Sequence, residues 1–165
     1  MKNIWSFLGI VIFWLSWPLF WLYLPSTERT RILLLHGSKI LVVKSWIGSG
    51  KWGLPGGGLH KDESVLDGAL RELVEETGIS IAERQFMVLP SDIYSDVGLH
   101  FVCHYFAATV PKVPTTRKQY IEIKELDWVE RRKLNNRNAA ADVLTALNAY
   151  DKMASRTESR YTSIR

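Results

Sequence analysis

The stretch Gly57–Ile79 reads GGLHKDESVLDGALRELVEETGI, and it combines a glycine pair, the signals of a helix and an acidic cluster. Ser64 is a favourable N-cap residue, and Asp67 follows it by one helical turn. Gly78 suits the position just after the last turn, where glycine is preferred. Between these ends the apolar residues recur at helical spacing, namely Val65, Leu66, Ala69, Leu70, Leu73 and Val74. The stretch therefore predicts a helix over Ser64–Thr77, preceded by a glycine-rich loop.

Three glutamates crowd the end of this predicted helix. Glu72 and Glu76 are four residues apart and share one face, and Glu75 lies on the adjoining flank. The negative charges repel one another, and the helix macrodipole disfavours them near the C-terminus. A hard divalent cation such as Mg²⁺ or Mn²⁺ reverses this penalty, because it takes oxygen ligands and bridges to phosphate oxygens. The spacing therefore predicts a metal site on this helix face.

The loop Trp46–Gly58 contains six glycines and runs into the helix. Glycines allow close backbone approach, so carbonyls of Pro55–Gly58 could bind a metal and its amides could meet phosphate. Gly50-Lys51 is similar to the end of a P-loop, but Trp52 stands where Ser or Thr is needed and Ser45 where the first glycine is needed. The sequence therefore excludes a P-loop.

The spacing of Gly57, Glu63 and Arg71–Ile79 resembles the Nudix box: glycine, a spaced glutamate, Arg-Glu-aliphatic, Glu-Glu and Gly-aliphatic. Every defined position matches. The preceding segment Trp52–Gly58 also resembles the usual lead-in of the family. The wider likeness covers roughly Thr30–Tyr150, where it rests only on the pattern of strands and helices.

The resemblance implies a fold of the α/β (α+β) class, an α/β/α sandwich with a mixed sheet between helices. It implies hydrolysis of a diphosphate linkage in a nucleoside diphosphate derivative or nucleoside triphosphate, with Mg²⁺ or Mn²⁺ as cofactor. By position, the metal ligands and catalytic groups would be Glu72, Glu75, Glu76 and the Gly56 carbonyl. Arg71 would pair with a carboxylate and orient it. Residues that would support the motif structurally are Gly57, Glu63 and Gly78.

The general base stays open, because family members differ in which glutamate activates water. Glu122 and Glu125 are candidates outside the box, and Glu122 is preferred because it precedes the predicted strand around Trp128. The alternative for each is a solvated carboxylate at a strand end. For substrate binding, Trp52 could stack on a base. Tyr94 follows the box, where some dinucleoside polyphosphate hydrolases are similar in carrying a tyrosine; a packing role is the alternative for both.

The remaining sequence predicts short strands and a closing helix. A hairpin is indicated around the His36-Gly37-Ser38 turn. The predicted strands are Arg31–Leu35, Lys39–Val43, Phe86–Leu89, Leu99–Val110 and one within Gln119–Val129. A closing helix is expected over Asn138–Tyr150, and the polar residues Ala154–Arg165 are expected to fray.

The segment Ile4–Leu24 contains no charge over 21 residues and holds four of the seven tryptophans. As a helix it would be roughly 31 Å long, close to the thickness of a bilayer core. We expect a single membrane-spanning helix that brings the protein to a lipid bilayer. The alternatives are a signal peptide, a buried core helix and, because Pro18 interrupts the pattern, a helix lying in the interface.

The flanking charges weakly favour a cytoplasmic catalytic domain, since Arg29, Arg31 and Lys39 follow the segment and Lys2 precedes it. The expected organisation is an anchor over residues 1–25, a Nudix domain over 26–152 and a polar tail over 153–165. Cys103 is the single cysteine, so no internal disulfide can form.

The net charge of +4 is small and no basic run with interleaved aromatics stands out, so no nucleic-acid partner is expected. Two rival functions stay open at this point. One is an inactive module that binds nucleotides for regulation, and the other is a membrane-associated adaptor.

Overall fold

The computed structural model describes residues 28–46, 49–96, 99–118 and 122–162. The expected anchor at Ile4–Leu24 lies outside these residues. Within the described part of the chain, no helix is both long and apolar enough to cross a membrane.

In the described residues, six strands form one sheet, and two α-helices pack on it. The strands are β1 (Glu28–His36), β2 (Lys39–Ser45), β3 (Met87–Val88), β4 (Asp92–Asp96), β5 (Leu99–Thr109) and β6 (Ile123–Glu130); the helices are α1 (Val65–Thr77) and α2 (Ala141–Thr162). The strand order is β3-β5-β1-β2-β6, and β4 also pairs with β5. The pair of β1 and β5 is parallel and the other pairs are antiparallel. The predicted mixed sheet is therefore confirmed.

Both faces of the sheet are covered, because each strand directs alternate residues to opposite sides. On one face Ile32 and Leu34 of β1 pack in a cluster with Ala69 and Leu73 of α1. On the other face the cluster joins Leu33, Leu35, Ile40 and Val42 with Val143, Ala146 and Leu147 of α2. This double coverage explains the continuous apolar run in β1, and it gives the expected α/β/α sandwich.

Helix α1 has the predicted ends. The backbone N–H of Asp67 donates to the Ser64 hydroxyl at 3.1 Å, which caps the first turn. At the other end Gly78 adopts a left-handed conformation with φ of 71°, and its N–H donates to the Val74 carbonyl. The helix that carries the predicted metal site is thus bounded by local signals.

Helix α2 differs from the prediction at both ends. Of the residues expected to begin it, Asn138 lies in a turn and Ala139 forms a β-bridge with Trp52. The Trp52 backbone N–H donates to the Asn138 carbonyl and the Ala140 N–H donates to the Trp52 carbonyl, both at 2.8 Å. At the other end the helix continues past Tyr150 to Thr162. The expectation that Ala154–Arg165 fray is therefore wrong as far as Thr162, because these residues extend the helix instead.

Candidate active site

Arg71 on α1 is the centre of a hydrogen-bonded network of carboxylates. Its guanidinium donates twice to Glu63, from Nε at 2.8 Å and from Nη2 at 3.0 Å. Its Nη1 donates at 2.9 Å to both Glu72 and Glu75. Nη2 also donates to the Gly58 carbonyl at 3.0 Å. One arginine thus fixes three carboxylates and ties the glycine-rich loop to the helix.

Glu63 is held as a permanent anion within this network. The hydrogen bonds from Arg71, together with one from the His60 backbone N–H, lower the pKa of Glu63 to about 2. A carboxylate with such a low pKa does not exchange protons near neutral pH. Glu63 lies between the loop and the helix and therefore supports the structure of the motif. Other groups must transfer protons.

Glu76 is a buried carboxyl group one turn after Glu72. Its side chain accepts a hydrogen bond from the Gly56 N–H at 2.9 Å, and the residue is only 7% exposed. Burial raises the pKa of Glu76 to about 7, and the negative charges of Glu72 and Glu122 act in the same direction. Burial likewise raises the pKa of Glu72. Three negative charges thus act on one another beside the loop.

Two glycines of the loop leave no space for a side chain. Gly56 has a φ of 135°, and a Cβ there would lie 2.2 Å from the Thr30 carbonyl oxygen. A Cβ on Gly57 would lie 2.3 Å from Oε1 of Glu72. The loop lies against β1, because the Thr30 N–H donates to the Gly57 carbonyl at 2.9 Å and Gly58 forms an antiparallel bridge with Arg29. The Glu72 carboxylate can therefore lie directly on the loop backbone.

The Gly56 carbonyl, expected as a metal ligand, is engaged elsewhere. It accepts a hydrogen bond from Nη1 of Arg31 on β1. The same arginine forms an ion pair with Asp142 on α2, with Nε and Oδ2 at 3.0 Å. A carbonyl oxygen that already contacts a guanidinium is a poor partner for a second cation, because the two positive charges would repel. This contact would compete with a bound metal, and the role of the Gly56 carbonyl as a ligand stays a prediction.

The buried pair of Arg31 and Asp142 is a part of the site that the sequence did not predict. Asp142 is 3% exposed, and it also accepts hydrogen bonds from the N–H groups of Leu54 and Val143. Together the two residues connect β1 and the start of α2 with the loop, at Leu54 and at Gly56. One feature of the sequence could have indicated the pair: Arg31 directly precedes the apolar run of β1, and a charge buried there needs a partner of opposite charge.

Of the two glutamates outside the box, the structure brings only Glu122 toward the cluster. It directly precedes β6, and its charge contributes to the raised pKa of both Glu72 and Glu76. Glu125 instead forms an ion pair with Lys44 on β2 at 2.9 Å. The geometry therefore favours Glu122 as the outside carboxylate.

The two predicted substrate-binding aromatics do not lie together. Trp52 is half-buried beside β2 and β6, and Nζ of Lys44 lies 4.1 Å from the centre of its ring. One face of the indole is thus covered. Tyr94 lies on β4, which pairs with β5 on the other side of β1. Its side chain is outside the part that the structure describes, so its role stays a prediction.

The donor chemistry of the cluster fits a hard divalent cation. No group of three acidic, histidine or cysteine side chains in the described residues forms a ready metal cage. Mg²⁺ does not need one, since it retains several waters and binds proteins through one or two carboxylates. Glu72 supplies a half-buried carboxylate and Glu76 a buried one, their negative charges repel each other, and Glu122 adds a third charge. The residues present therefore suit Mg²⁺ or Mn²⁺.

Comparison with known proteins identifies the family of this chain. The model of the NUDIX domain matches residues 26–147. Phosphatase NudJ of Escherichia coli strain K12 is 30% identical over 113 residues, which are 68% of this chain and 73% of that protein. The mRNA decapping complex subunit 2 of Schizosaccharomyces pombe is 48% identical over 57 residues, 34% of this chain but only 8% of that protein.

A solved structure shows the same fold. The MutT NUDIX hydrolase of Burkholderia pseudomallei superimposes with a TM-score of 0.66 at 23% identity, covering 75% of this chain and 97% of that chain. The family model spans the sheet, the glycine-rich loop and the helix with its carboxylates. The chain therefore belongs to the Nudix family, and it is a Nudix-type pyrophosphohydrolase.

Proposed function

We propose that this protein hydrolyses the diphosphate linkage of a nucleoside diphosphate derivative or a nucleoside triphosphate, with Mg²⁺ or Mn²⁺ held by Glu72 and Glu76. The observation that carries the proposal is the buried carboxyl of Glu76, fixed by the Gly56 N–H one turn from Glu72. A fold maintained for stability alone would not bury repelling carboxylates there. A bound cation would neutralise the repulsion between these carboxylates, and it would bind the substrate by bridging to phosphate oxygens.

The roles of the residues follow from their contacts. Arg71 orients Glu72 and Glu75 through its shared Nη1, so that both carboxylates keep fixed positions. When bound, the metal supplies positive charge for the phosphates and lowers the pKa of a water molecule. Glu122 accepts the proton of the attacking water, and Glu75 is the alternative base. Water adds to one phosphorus and the anhydride bond breaks, which leaves a nucleoside monophosphate and a phosphorylated remainder or pyrophosphate.

The test is a panel of nucleotides incubated with the full-length protein and Mg²⁺, followed by identification of the products. The panel holds nucleoside triphosphates, ADP-ribose, nucleotide sugars and dinucleoside polyphosphates. Glu76→Gln is expected to reduce kcat by about a hundredfold or more, because it removes a metal ligand. Glu83→Gln, an exposed glutamate outside the site, is the matched control and should retain full activity. A folded protein that turns over no member of the panel would contradict the proposal.

We further propose that Ile4–Leu24 tethers the domain to a membrane, with the catalytic domain on the cytoplasmic side. Its 21 residues carry no charge, and the cationic residues Arg29 and Arg31 follow it closely. Removal of residues 1–25 should release the protein from the membrane fraction while turnover of the best substrate in solution is retained. Wild-type protein that is fully extracted by high salt, or a truncated protein that still sediments with membranes, would count against the tether.

A further inference from the structure

Gly56 connects the two helices of the sandwich through strand β1. Its N–H donates to the Glu76 carboxylate on α1 at 2.9 Å, and its carbonyl accepts a hydrogen bond from the Arg31 guanidinium. Arg31 in turn forms the ion pair with Asp142, the second residue of α2. The backbone of Gly56 has a φ of 135°, which a residue with a side chain rarely adopts. The contacts that lead from α2 to the proposed metal ligand therefore pass through one unusual backbone position.

Strand β1 contacts three consecutive carbonyls of the loop, those of Pro55–Gly57. Its backbone N–H groups donate to the first and to the third, from Ile32 and from Thr30, both at 2.9 Å. The middle carbonyl is that of Gly56, and the side chain of Arg31 donates to it. A substitution of Arg31 can therefore remove the middle contact while the two backbone contacts remain.

The Arg31 guanidinium is itself fixed by several partners. Its side chain is only 12% exposed, and its Nε lies 3.0 Å from Oδ2 of Asp142. Its Nη1 donates to the carbonyls of both Thr30 and Gly56. The same Oδ2 of Asp142 accepts the Leu54 N–H at 3.3 Å, which ties the carboxylate to the loop. A planar guanidinium can serve these partners together, whereas the single ammonium group of a lysine cannot reproduce its fork of donors.

We propose that Arg31 is a positioning residue, which orients the Gly56 peptide so that its N–H fixes the Glu76 carboxylate for the metal. Asp142 holds Arg31 in place, and α2 thereby takes part in the active site although it carries none of the proposed metal ligands. The inference rests on the proposed function for the metal and on the contacts of Gly56 for its geometry. Groups that orient a metal ligand commonly affect metal affinity by about ten- to a hundredfold.

Two other effects of Arg31 predict the opposite change in metal affinity. Its positive charge acts on Glu76 and would repel a divalent cation there, and its contact with the Gly56 carbonyl would compete with a metal at this oxygen. If either effect dominates, removal of the guanidinium strengthens metal binding. If Arg31 positions Glu76, removal weakens metal binding, because the carboxylate must then be ordered when the metal binds.

Titration of the full-length protein with Mn²⁺, followed by the electron paramagnetic resonance of the free ion, measures metal affinity without turnover. Arg31→Lys keeps a positive charge beside Asp142 but lacks the fork of donors, and we expect its dissociation constant to rise about tenfold. Arg31→Gln also removes the charge and should still weaken binding. Val143→Ala is the matched control, because it removes buried methyl groups from α2 and keeps the backbone N–H that contacts Asp142. Unchanged or tighter binding in Arg31→Lys, or equal weakening in Val143→Ala, would overturn the proposal.

Hydrogen exchange of the Gly56 amide in the metal-free protein tests the positioning directly. In the wild type this N–H is protected by its hydrogen bond to Glu76. Arg31→Lys should speed its exchange about fivefold or more, while the β1 amides that donate to the neighbouring carbonyls keep their protection. Val143→Ala should show no such local difference. Equal exchange of the Gly56 amide in the wild type and in Arg31→Lys would mean that Arg31 does not orient this peptide.

Kinetics separates this inference from the proposed function. In Arg31→Lys the Mg²⁺ concentration for half-maximal rate should rise about tenfold, whereas KM for the nucleotide at saturating Mg²⁺ should stay nearly unchanged. A higher KM with an unchanged Mg²⁺ requirement would overturn the proposal, because it would place Arg31 at the substrate. Wild-type protein that binds no Mn²⁺ would refute the metal site of the proposed function, and hydrogen exchange at Gly56 would still decide whether Arg31 positions this peptide.

Discussion

Replacement of Glu76 by glutamine should stabilise the metal-free protein at pH 8 by up to about 3 kcal/mol, although it removes catalysis. Burial raises the pKa of this carboxyl from its ordinary value of 4.5 to about 7. At about 1.36 kcal/mol per pH unit, that rise corresponds to about 3 kcal/mol. Glutamine keeps an oxygen that can accept the hydrogen bond from the Gly56 N–H.

The direction of this pH dependence follows from the number of protons bound to the folded and to the unfolded protein. Between pH 4.5 and 7 the folded protein retains a proton on Glu76 that the unfolded chain has released. The free energy of unfolding of the wild type therefore falls as pH rises through this window, and the full penalty is present above it. Glutamine does not titrate, so the advantage of Glu76→Gln over wild type should grow from pH 4.5 to 7 and then level off.

Urea denaturation in EDTA at several pH values measures the difference, and other titrating groups cancel because both proteins are compared at each pH. Glu83→Gln is the control, with a difference from wild type that stays near zero. Mg²⁺ at a hundredfold excess over its dissociation constant should return about 2.7 kcal/mol to wild type and much less to Glu76→Gln. A difference that does not change with pH, or a variant that is less stable at pH 8, would refute the argument.

Three further changes test other parts of the site. Asp142→Asn removes the carboxylate that pairs with the buried Arg31, so the free energy of unfolding should fall by about 3 kcal/mol or more, as measured by chemical denaturation. A loss below about 1 kcal/mol would show that the pair is unimportant for stability. Ser64→Ala removes the cap of α1 and should cost about 1 kcal/mol, visible as a lower Tm, whereas Ser64→Asp should retain most of the stability. Gly57→Ala places a Cβ 2.3 Å from Oε1 of Glu72, so the carboxylate must move and kcat should fall by about tenfold or more. The circular dichroism spectrum should stay that of wild type, and full activity would contradict this placement of Glu72.

Helix α1 shows how much of the site could be predicted from the sequence. Its ends at Ser64 and Gly78 are set by capping within a few residues, and its apolar stripe is periodic, so local signals were sufficient. The hairpin of β1 and β2 was found for the same reason, since a short turn joins the two strands. The crowding of Glu72 and Glu76 also follows from helical spacing alone.

The errors occur where distant segments meet. The start of α2 was misplaced because Asn138 lies in a turn and the two residues after it pair with the backbone of Trp52. Strand β4 was not predicted, since it lacks an apolar pattern and forms by pairing with β5. Neither pairing leaves a signal in the residues of the segment itself.

The sequence by itself determined the chemistry of the carboxylates, because the spacing along one helix fixes which side chains share a face. Only the tertiary structure decided which other groups join them. It brings Glu122 to the cluster and pairs Glu125 with Lys44, and it turns the Gly56 carbonyl toward Arg31. It also joins Arg31 to Asp142. These relations depend on how β1, β6 and α2 pack around the loop, and periodicity within a segment carries no information about packing between segments.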